Sequence, residues 1–346
     1  MRWLGLDIGG ANLKAADGSG WGRTVRFPLW REPAGLASAL IALIESAPRV
    51  EKLAVTMTGE LCDCFATKAE GVQHILRAVQ EAAQAREVWI YRVGGRLVTL
   101  DEAKQWPEAA AAANWHALAQ FACRFVKGES GLLVDVGSTT TDIVPLIDGM
   151  PRPAGLTDTE RLLSGELVYT GVGRTPVCAI TRTLPWRGGQ CPVAAELFAT
   201  AADAYVLLGK LREQPDAEWT ADGRPLTKEF ATARLARMIC ADSAEFSVGD
   251  AIKAAAAISR AQADAVSKAI TEVAQCAAKP LRWAIVSGAG EFLATECVAQ
   301  GSAAATVVSL SAALGEQASE AAPAHALAVL ACERWANSSQ KPAGNS

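Results

Sequence analysis

The sequence predicts a mixed α/β fold made of two lobes that begin alike. Two observations predict it. Short apolar strand runs alternate with helical stretches along the whole chain, and the order strand, polar turn, strand occurs twice. The two starts, LGLDIGGANLKAA from Leu4 and LLVDVGSTTTDIVPL from Leu132, stand 128 residues apart, and the 346 residues, half of them hydrophobic, supply core for two domains.

Arg2 to Leu6 reads as a strand, and Asn12 to Ala16, the turn at Asp17 to Gly20, and Trp21 to Phe27 continue it as a hairpin. Leu36 to Glu45 has helical periodicity, Lys52 to Met57 is a strand, Gly71 to Gln84 a helix and Glu87 to Arg92 a strand. Pro107 to Val126 reads as one long helix opened by proline. The second start then places strands at Gly131 to Val136 and Asp142 to Leu146. Helices are expected at Pro192 to Leu211, Thr227 to Cys240 and Ser247 to Ala278, strands at Trp283 to Ser287 and Ala305 to Val308, and a last helix at Ala322 to Trp335. The expected domains are 1–128, 129–336 and a flexible tail, 337–346, with the two lobes facing each other across a cleft.

Net charge is -4 and the basic residues are scattered, so no footprint for nucleic acid or an anionic membrane is expected. Nine cysteines lack CxxC pairs, and three histidines lie far apart. Cys62 and Cys64 read as free thiols, and a reducing cytoplasm is the expected compartment. No leader or membrane span is expected. The expected partner is a small molecule or another subunit, and alanine-rich helices such as Ala251 to Ala278 are expected to pack either within the chain or against another copy of it.

Each start places an aspartate, Asp7 or Asp135, at a strand end before a small turn. Such turns direct main-chain N–H groups at phosphate oxygens, and carboxylates there suit the water shell of Mg²⁺. The phosphate-contact candidates are Gly9, Gly10 and Asn12 in the first turn, and Gly137, Ser138, Thr139 and Thr140 in the second. Lys14 either reaches phosphate or is a solvated strand lysine. Asp142 either orients a metal-bound water or accepts a proton, or it caps the turn. A third element, WAIVSGAGEFLA from Trp283, ends a strand at Gly288 and Gly290 and opens a helix at Glu291, as a ligand-approach turn or an ordinary βα turn. There is no GxxxxGK[ST] loop and no GxGxxG after a strand.

In this order the three elements resemble the phosphate 1, phosphate 2 and adenosine motifs of the actin, sugar kinase and Hsp70 superfamily. The resemblance implies duplicated ribonuclease H-like, actin-like lobes. Three further stretches, TMTGELCDCFATKAEGV, AAANWHALA and GELVYTGVGRTPV, resemble the hydantoinase/oxoprolinase-like branch found among tetrahydromethanopterin-linked one-carbon genes. Archaeal members of that branch look like methanofuran-pathway synthases. The resemblance implies an alkyl transfer in which the phenol oxygen of γ-glutamyltyramine, or a tyrosine-derived analogue, displaces diphosphate from aminomethylfuran-methyl diphosphate. Mg²⁺ would be held by Asp7 and Asp135, and ATP is not expected to be required. Glu60, with Lys68 and Glu70, is the candidate for deprotonating the phenol or gripping the aminomethyl group, against the reading of an exposed charged loop. Arg161 and Arg174 are candidates for the glutamyl carboxylates or for structural ion pairs, and Tyr169 for stacking on an aromatic substrate or for a plain place in the hairpin. The alternative is an ATP-dependent kinase or amide hydrolase of the same superfamily, with ATP or ADP as its ligand.

Overall fold

The computed structural model describes residues 2–126, 128–301 and 305–339. In chain order the first part holds β1 (Trp3–Ile8), β2 (Asn12–Ala16), β3 (Gly22–Arg26), α1 (Leu36–Glu45), β4 (Lys52–Met57), α2 (Lys68–Ala83), β5 (Glu87–Arg92), β6 (Arg96–Thr99), α3 (Leu100–Gln105) and α4 (Asn114–Ala122). Next come β7 (Gly131–Val136), β8 (Thr141–Ile147), β9 (Met150–Pro151), α5 (Asp158–Ser164), β10 (Leu167–Val168) and α6 (Val177–Ile180). They are followed by β11 (Thr183–Trp186), β12 (Gly189–Pro192), α7 (Ala201–Leu207), α8 (Lys228–Arg237) and α9 (Val248–Cys276). The chain ends with β13 (Trp283–Ser287), α10 (Glu291–Gly301), β14 (Thr306–Ser309), α11 (Leu310–Leu314), α12 (Glu316–Glu320) and α13 (Ala322–Ser339). Two compact units form: residues 1–131, 144–158 and 308–346, and residues 132–143 and 159–307.

In the first unit six strands run in the order β3-β2-β1-β4-β5-β6. β4 pairs in parallel with both β1 and β5, as expected of strands joined by helical crossovers. All six residues of β1 are buried, so both of its faces must be covered. Leu4, Leu6 and Ile8 share a core with Leu36, Leu40 and Leu43 of α1 and Val72, Ile75 and Val79 of α2. The opposite face takes α13: a side chain at Gly5 would overlap the Ala324 carbonyl, so main chain meets main chain there.

The second sheet runs in the order β10-β8-β7-β13-β14, with β9 also paired to β8. Val134, Val136, Ala284 and Val286 pack with Ala263, Val266 and Ile270 of α9 and Leu293 of α10. The long α9 starts at a capping box. Ser247 accepts from the Asp250 N–H, and the Asp250 carboxylate accepts from the Ser247 N–H.

Three expectations fail locally. The helix expected over Pro107 to Val126 is broken: a 3₁₀ turn covers Pro107–Ala109, α4 starts only at Asn114, and Ala112 between them has φ 45. The helix expected from Pro192 starts instead at Ala201, because Gly189–Pro192 pairs with Thr183–Trp186 as a hairpin. The last helix runs on to Ser339, so 337–339 are not tail; residues 340–346 lie outside the described residues. Neither β6 nor α3 was expected. Among the described residues no helix is long and apolar enough to cross a membrane, and all nine cysteines are free thiols.

Candidate functional site

The first turn closes where the Gly9 N–H donates to the Asn12 carbonyl at 3.0 Å. Its carbonyls are taken from outside. Thr58 and Gly59 donate to the Ile8 carbonyl at 2.9 and 3.0 Å, Leu29 to Gly10 at 2.9 Å, and Phe27 to Ala11 at 3.1 Å. The N–H groups of Gly10 and Ala11 enter no hydrogen bond among the described residues, and Gly9, Gly10 and Asn12 stay half-buried. The Ile8, Gly10 and Ala11 carbonyls are spent while the Gly10 and Ala11 donors remain, which favours an anion on the concave side.

Register puts Lys14, Asp7 and Thr56 side by side across β2, β1 and β4. Asp7 is 3% exposed, and its Oδ2 lies 3.8 Å from the Lys14 ammonium. Lys14 is therefore neither freely solvated nor fully available: half of its role is to neutralise a buried carboxylate.

The second turn repeats this pattern in the second unit. The Gly137 N–H donates to the Thr140 carbonyl at 2.8 Å. Gly290 donates to the Val136 carbonyl at 2.8 Å, Val172 to Gly137 at 3.0 Å, and Gly173 and Arg174 both to Ser138 at 2.9 and 2.8 Å. No hydrogen bond among the described residues uses the N–H groups or hydroxyls of Ser138, Thr139 and Thr140, all of them half-buried. This is a compact run of unsatisfied donors suited to an oxyanion.

The strap over this turn, Gly171–Arg174, has a physical requirement for glycine. A side chain at Gly171 would press on the Ser138–Thr139 peptide at 2.6 Å, and one at Gly173 would overlap the Ser138 hydroxyl. A buried polar network holds the strap. Gln262 donates to the Thr170 hydroxyl at 2.7 Å and the Gly171 carbonyl at 2.9 Å, Tyr205 donates to Gln262 at 2.8 Å, and Thr141 donates to the Thr170 carbonyl at 2.8 Å. Sequence reasoning missed these supports; the glycine spacing in TGVGRT was the signal available.

Gly288 and Gly290 have packing reasons of their own. Gly288 has φ 92, and a side chain on it would overlap the Val136 carbonyl and crowd the Asp135 carboxylate; one on Gly290 would press on Val136 and Val172 at 2.5 and 2.6 Å. Asp142 is the partner of Arg161, whose Nη2 lies 2.7 Å from Oδ1 and also donates to the Glu166 carbonyl at 3.1 Å. Arg161 is 1% exposed, so it serves this ion pair and is not presented to a substrate carboxylate. Tyr169 is largely exposed.

Glu60 departs from the exposed loop considered for it. It is 1% exposed, one carboxylate oxygen, Oε2, has no hydrogen-bond partner among the described residues, and the first turns of α2 lie directly on it, where a side chain at Gly71 would overlap the Glu60 carbonyl. Burial pushes its carboxyl up to about 7, and the negative charge of Asp158 adds to this; main-chain N–H groups of Glu60 and Ala112 and the Lys68 ammonium pull it down. Lys68 is half-buried at the start of α2. Glu70 is exposed and accepts from the Ala66 N–H, a helix-entry role.

With the geometry in place, the chain can be set beside known proteins. The hydantoinase/oxoprolinase family model matches residues 51–334. This chain belongs to the hydantoinase/oxoprolinase family. Two curated relatives of this family member share one name, (4-{4-[2-(γ-L-glutamylamino)ethyl]phenoxymethyl}furan-2-yl)methanamine synthase. The one from Methanocaldococcus jannaschii is 38% identical over 69% of this chain and 72% of its own. The one from Methanococcus vannielii is 28% identical over 58% of this chain and 89% of its own. Among solved structures, a nucleotide-free acetone carboxylase matches with a TM-score of 0.54 at 10% identity, over 95% of this chain and 70% of that one. An archaeal actin homolog in complex with ADP matches at 0.45 and 15% identity, over 96% and 100%. The expected mixed α/β fold therefore stands, and so does the hydantoinase/oxoprolinase resemblance read from the three motif stretches.

In this hydantoinase/oxoprolinase family member, no group of three or more His, Cys, Asp or Glu is arranged to hold a metal among the described residues. The oxygen donors at each turn are one aspartate plus, in the second, hydroxyls. That set does not fit a caged ion. It fits Mg²⁺, which keeps most of its waters and takes its remaining ligands from phosphate.

Proposed function

We propose that this chain is an alkyltransferase that joins aminomethylfuran-methyl diphosphate to the phenol oxygen of γ-glutamyltyramine or a tyrosine-derived analogue. The bond from the furan CH₂ to the diphosphate oxygen breaks, the bond from CH₂ to the phenol oxygen forms, and diphosphate leaves with the bonding pair. The phenol gives up its proton. The substrate class follows from the name shared by the two relatives, and the observation that carries the chemistry is the run of unsatisfied donors at Ser138–Thr140.

A furan ring stabilises positive charge on its CH₂, so the barrier lies largely in the departure of diphosphate. Fixed donors aimed at the leaving oxygens lower that barrier without reorganising. The Ser138, Thr139 and Thr140 N–H and hydroxyl groups are assigned to one phosphate-binding concavity, and the Gly10 and Ala11 N–H groups to another. When bound, Mg²⁺ would be held through its water shell by Asp135 of the second unit, Asp7 being the corresponding carboxylate of the first, and would neutralise the diphosphate charge. Glu60 is assigned the phenol proton: a carboxyl near 7 is a stronger base than an ordinary glutamate and still ionises at neutral pH. Its contact with the phenol requires the substrate to displace what covers Oε2.

The test is direct. Purified protein and Mg²⁺ are incubated with the furan diphosphate and γ-glutamyltyramine, with and without ATP, and the ether and diphosphate are followed by mass spectrometry. Equal amounts of ether and diphosphate without ATP are expected. Turnover that needs ATP and forms ADP overturns the proposal in favour of a kinase or amide hydrolase.

A further inference from the structure

Away from the turns, the first unit carries a feature that the reaction above does not use. We infer that a cavity of about 300 Å³, walled by Trp3, Trp89 and Trp335 and lined also by Arg96 and Arg334, binds a small ligand that joins a flat ring to a carboxylate or phosphate.

The walls come from three elements, β1, β5 and α13. Trp335 meets Trp3 and Trp89 edge-on, with centroids 6.1 and 6.0 Å apart and rings inclined by 61° and 68°. The Lys52 ammonium lies 3.2 Å from the Trp335 ring centroid and is ion-paired with Glu87, which also accepts from the Trp89 indole at 2.9 Å. These contacts lock the indole planes in place before anything binds, which lowers the ordering cost of a ligand. A flat ring finds aromatic surface here and loses water by stacking on it.

The residues that line the site carry two guanidinium groups and no carboxylate. Arg96 and Arg334 are exposed, and neither is in an ion pair with a carboxylate among the described residues. The Arg334 guanidinium lies over Gly95, where a side chain would come within 3.2 Å of it. Trp3 is 4% exposed, and its indole N–H is buried without a hydrogen-bond partner among the described residues. Two guanidinium forks call for an anion with several oxygens. The volume is that of a small-ligand pocket.

This site is distinct from the first turn. Trp3 and Gly9 bracket opposite ends of β1, about 20 Å apart at the ordinary rise per strand residue. The inference does not depend on the reaction proposed above.

Intrinsic tryptophan fluorescence of the full chain tests it. AMP and 4-hydroxyphenylacetate are the ring-plus-anion probes, one carrying phosphate and the other carboxylate. Inorganic phosphate and tyramine supply the anion and the ring separately. At least one ring anion is expected to quench saturably, at concentrations where phosphate and tyramine do not. The double variant Arg96→Ala/Arg334→Ala should weaken that binding at least tenfold, with the melting temperature unchanged because both side chains are exposed; Arg96→Lys/Arg334→Lys should fall between. Absence of saturable quenching by both ring anions, equal binding of phosphate alone, or full affinity in the double alanine variant overturns the inference. Since AMP also has a phosphate for the hairpin turns, retention of its affinity in that variant assigns it to the turns and counts against the cavity.

Discussion

Aligning the two hairpin starts sets Gly9 on Gly137, Asn12 on Thr140 and Lys14 on Asp142. The backbones agree: glycine N–H to the carbonyl three residues on, and outside donors on the strand-end carbonyl, from Thr58 and Gly59 in one unit and Gly290 in the other. That last match extends the repeat, because Gly59-Glu60 then corresponds to Gly290-Glu291. Charge is where the copies part. Asp7 faces Lys14 across its hairpin and is 3% exposed. The same offset sets Asp142 across from Asp135, two like charges, and buried Arg161 takes Asp142 at 2.7 Å. The unused donors are thus a property of the shared backbone, and under the proposed reaction the half-buried Asp135 is the carboxylate better placed to serve a hydrated cation.

Breaking the comparison at the metal gives the largest expected effect. Asp135→Asn should lower turnover by roughly 10²–10³-fold, the usual loss when one transition-state charge contact is removed, with the melting temperature little changed. Asp7→Asn should cost less than about tenfold in turnover and should instead lower stability by about 1–3 kcal/mol, because Lys14 loses its buried partner. Steady-state diphosphate release and urea melts on both variants decide it. Equal turnover losses would erase the distinction drawn between the two units.

Glu60 sharpens the contrast through pH. Its carboxyl rises from 4.5 to about 7 on folding, so between those values the folded chain keeps a proton that the unfolded chain has lost. The stability this supplies is complete below 4.5 and is lost as pH rises through 7, a change of about 3 kcal/mol. Glu60→Gln has no such slope. The stability of the wild type relative to the variant should therefore fall by about that amount between pH 4.5 and 8 in urea melts. A constant difference would mean that the carboxyl titrates alike in both states. Turnover of the wild type should rise with pH through about 7.

Much of this was legible, and the reason is local. Asp-x-Gly followed by small residues specifies a hairpin through the conformations of four or five neighbours, so Asp7, Gly9, Asp135 and Gly137 could be read without the fold. The clamp on each turn could not. Val172 reaches Gly137 and Gly290 reaches Val136 through space, and nothing in the spacing of those residues announces the meeting. The burial of Glu60 could not be read because it depends on α2, where Gly71 admits contact with its main chain. The break in the alanine run Ala109–Ala113 was invisible for the opposite reason: every residue there favours a helix. Ala112 takes a left-handed conformation, at a cost of about 1–2 kcal/mol, and its main chain is one of the groups that pull the Glu60 carboxyl down against burial. Tertiary demand overrides propensity there.

The strap offers a smaller effect. Gly171→Ala adds a methyl group 2.6 Å from the Ser138–Thr139 peptide, so the strap or the turn must shift, at about 1–3 kcal/mol for an overpacked site. Diphosphate affinity, read by isothermal titration, should fall along with stability. A stability loss with unchanged affinity would show that the turn binds nothing that the strap positions.

The finest test separates hydroxyl from main chain. Thr139→Val keeps the shape of the side chain and the N–H while removing a hydroxyl that bonds to no described residue. Because that hydroxyl has no partner to lose, stability should stay within about 0.5 kcal/mol. If it donates to phosphate, diphosphate affinity should drop by about fivefold, the worth of one net hydrogen bond near 1 kcal/mol. Ala11 is its counterpart in the first turn and has no hydroxyl at all, so Ala11→Thr supplies the reciprocal. It should strengthen binding only if the first turn presents its N–H groups to the same kind of oxygen, and unchanged affinity in both variants would leave phosphate to the main chain alone.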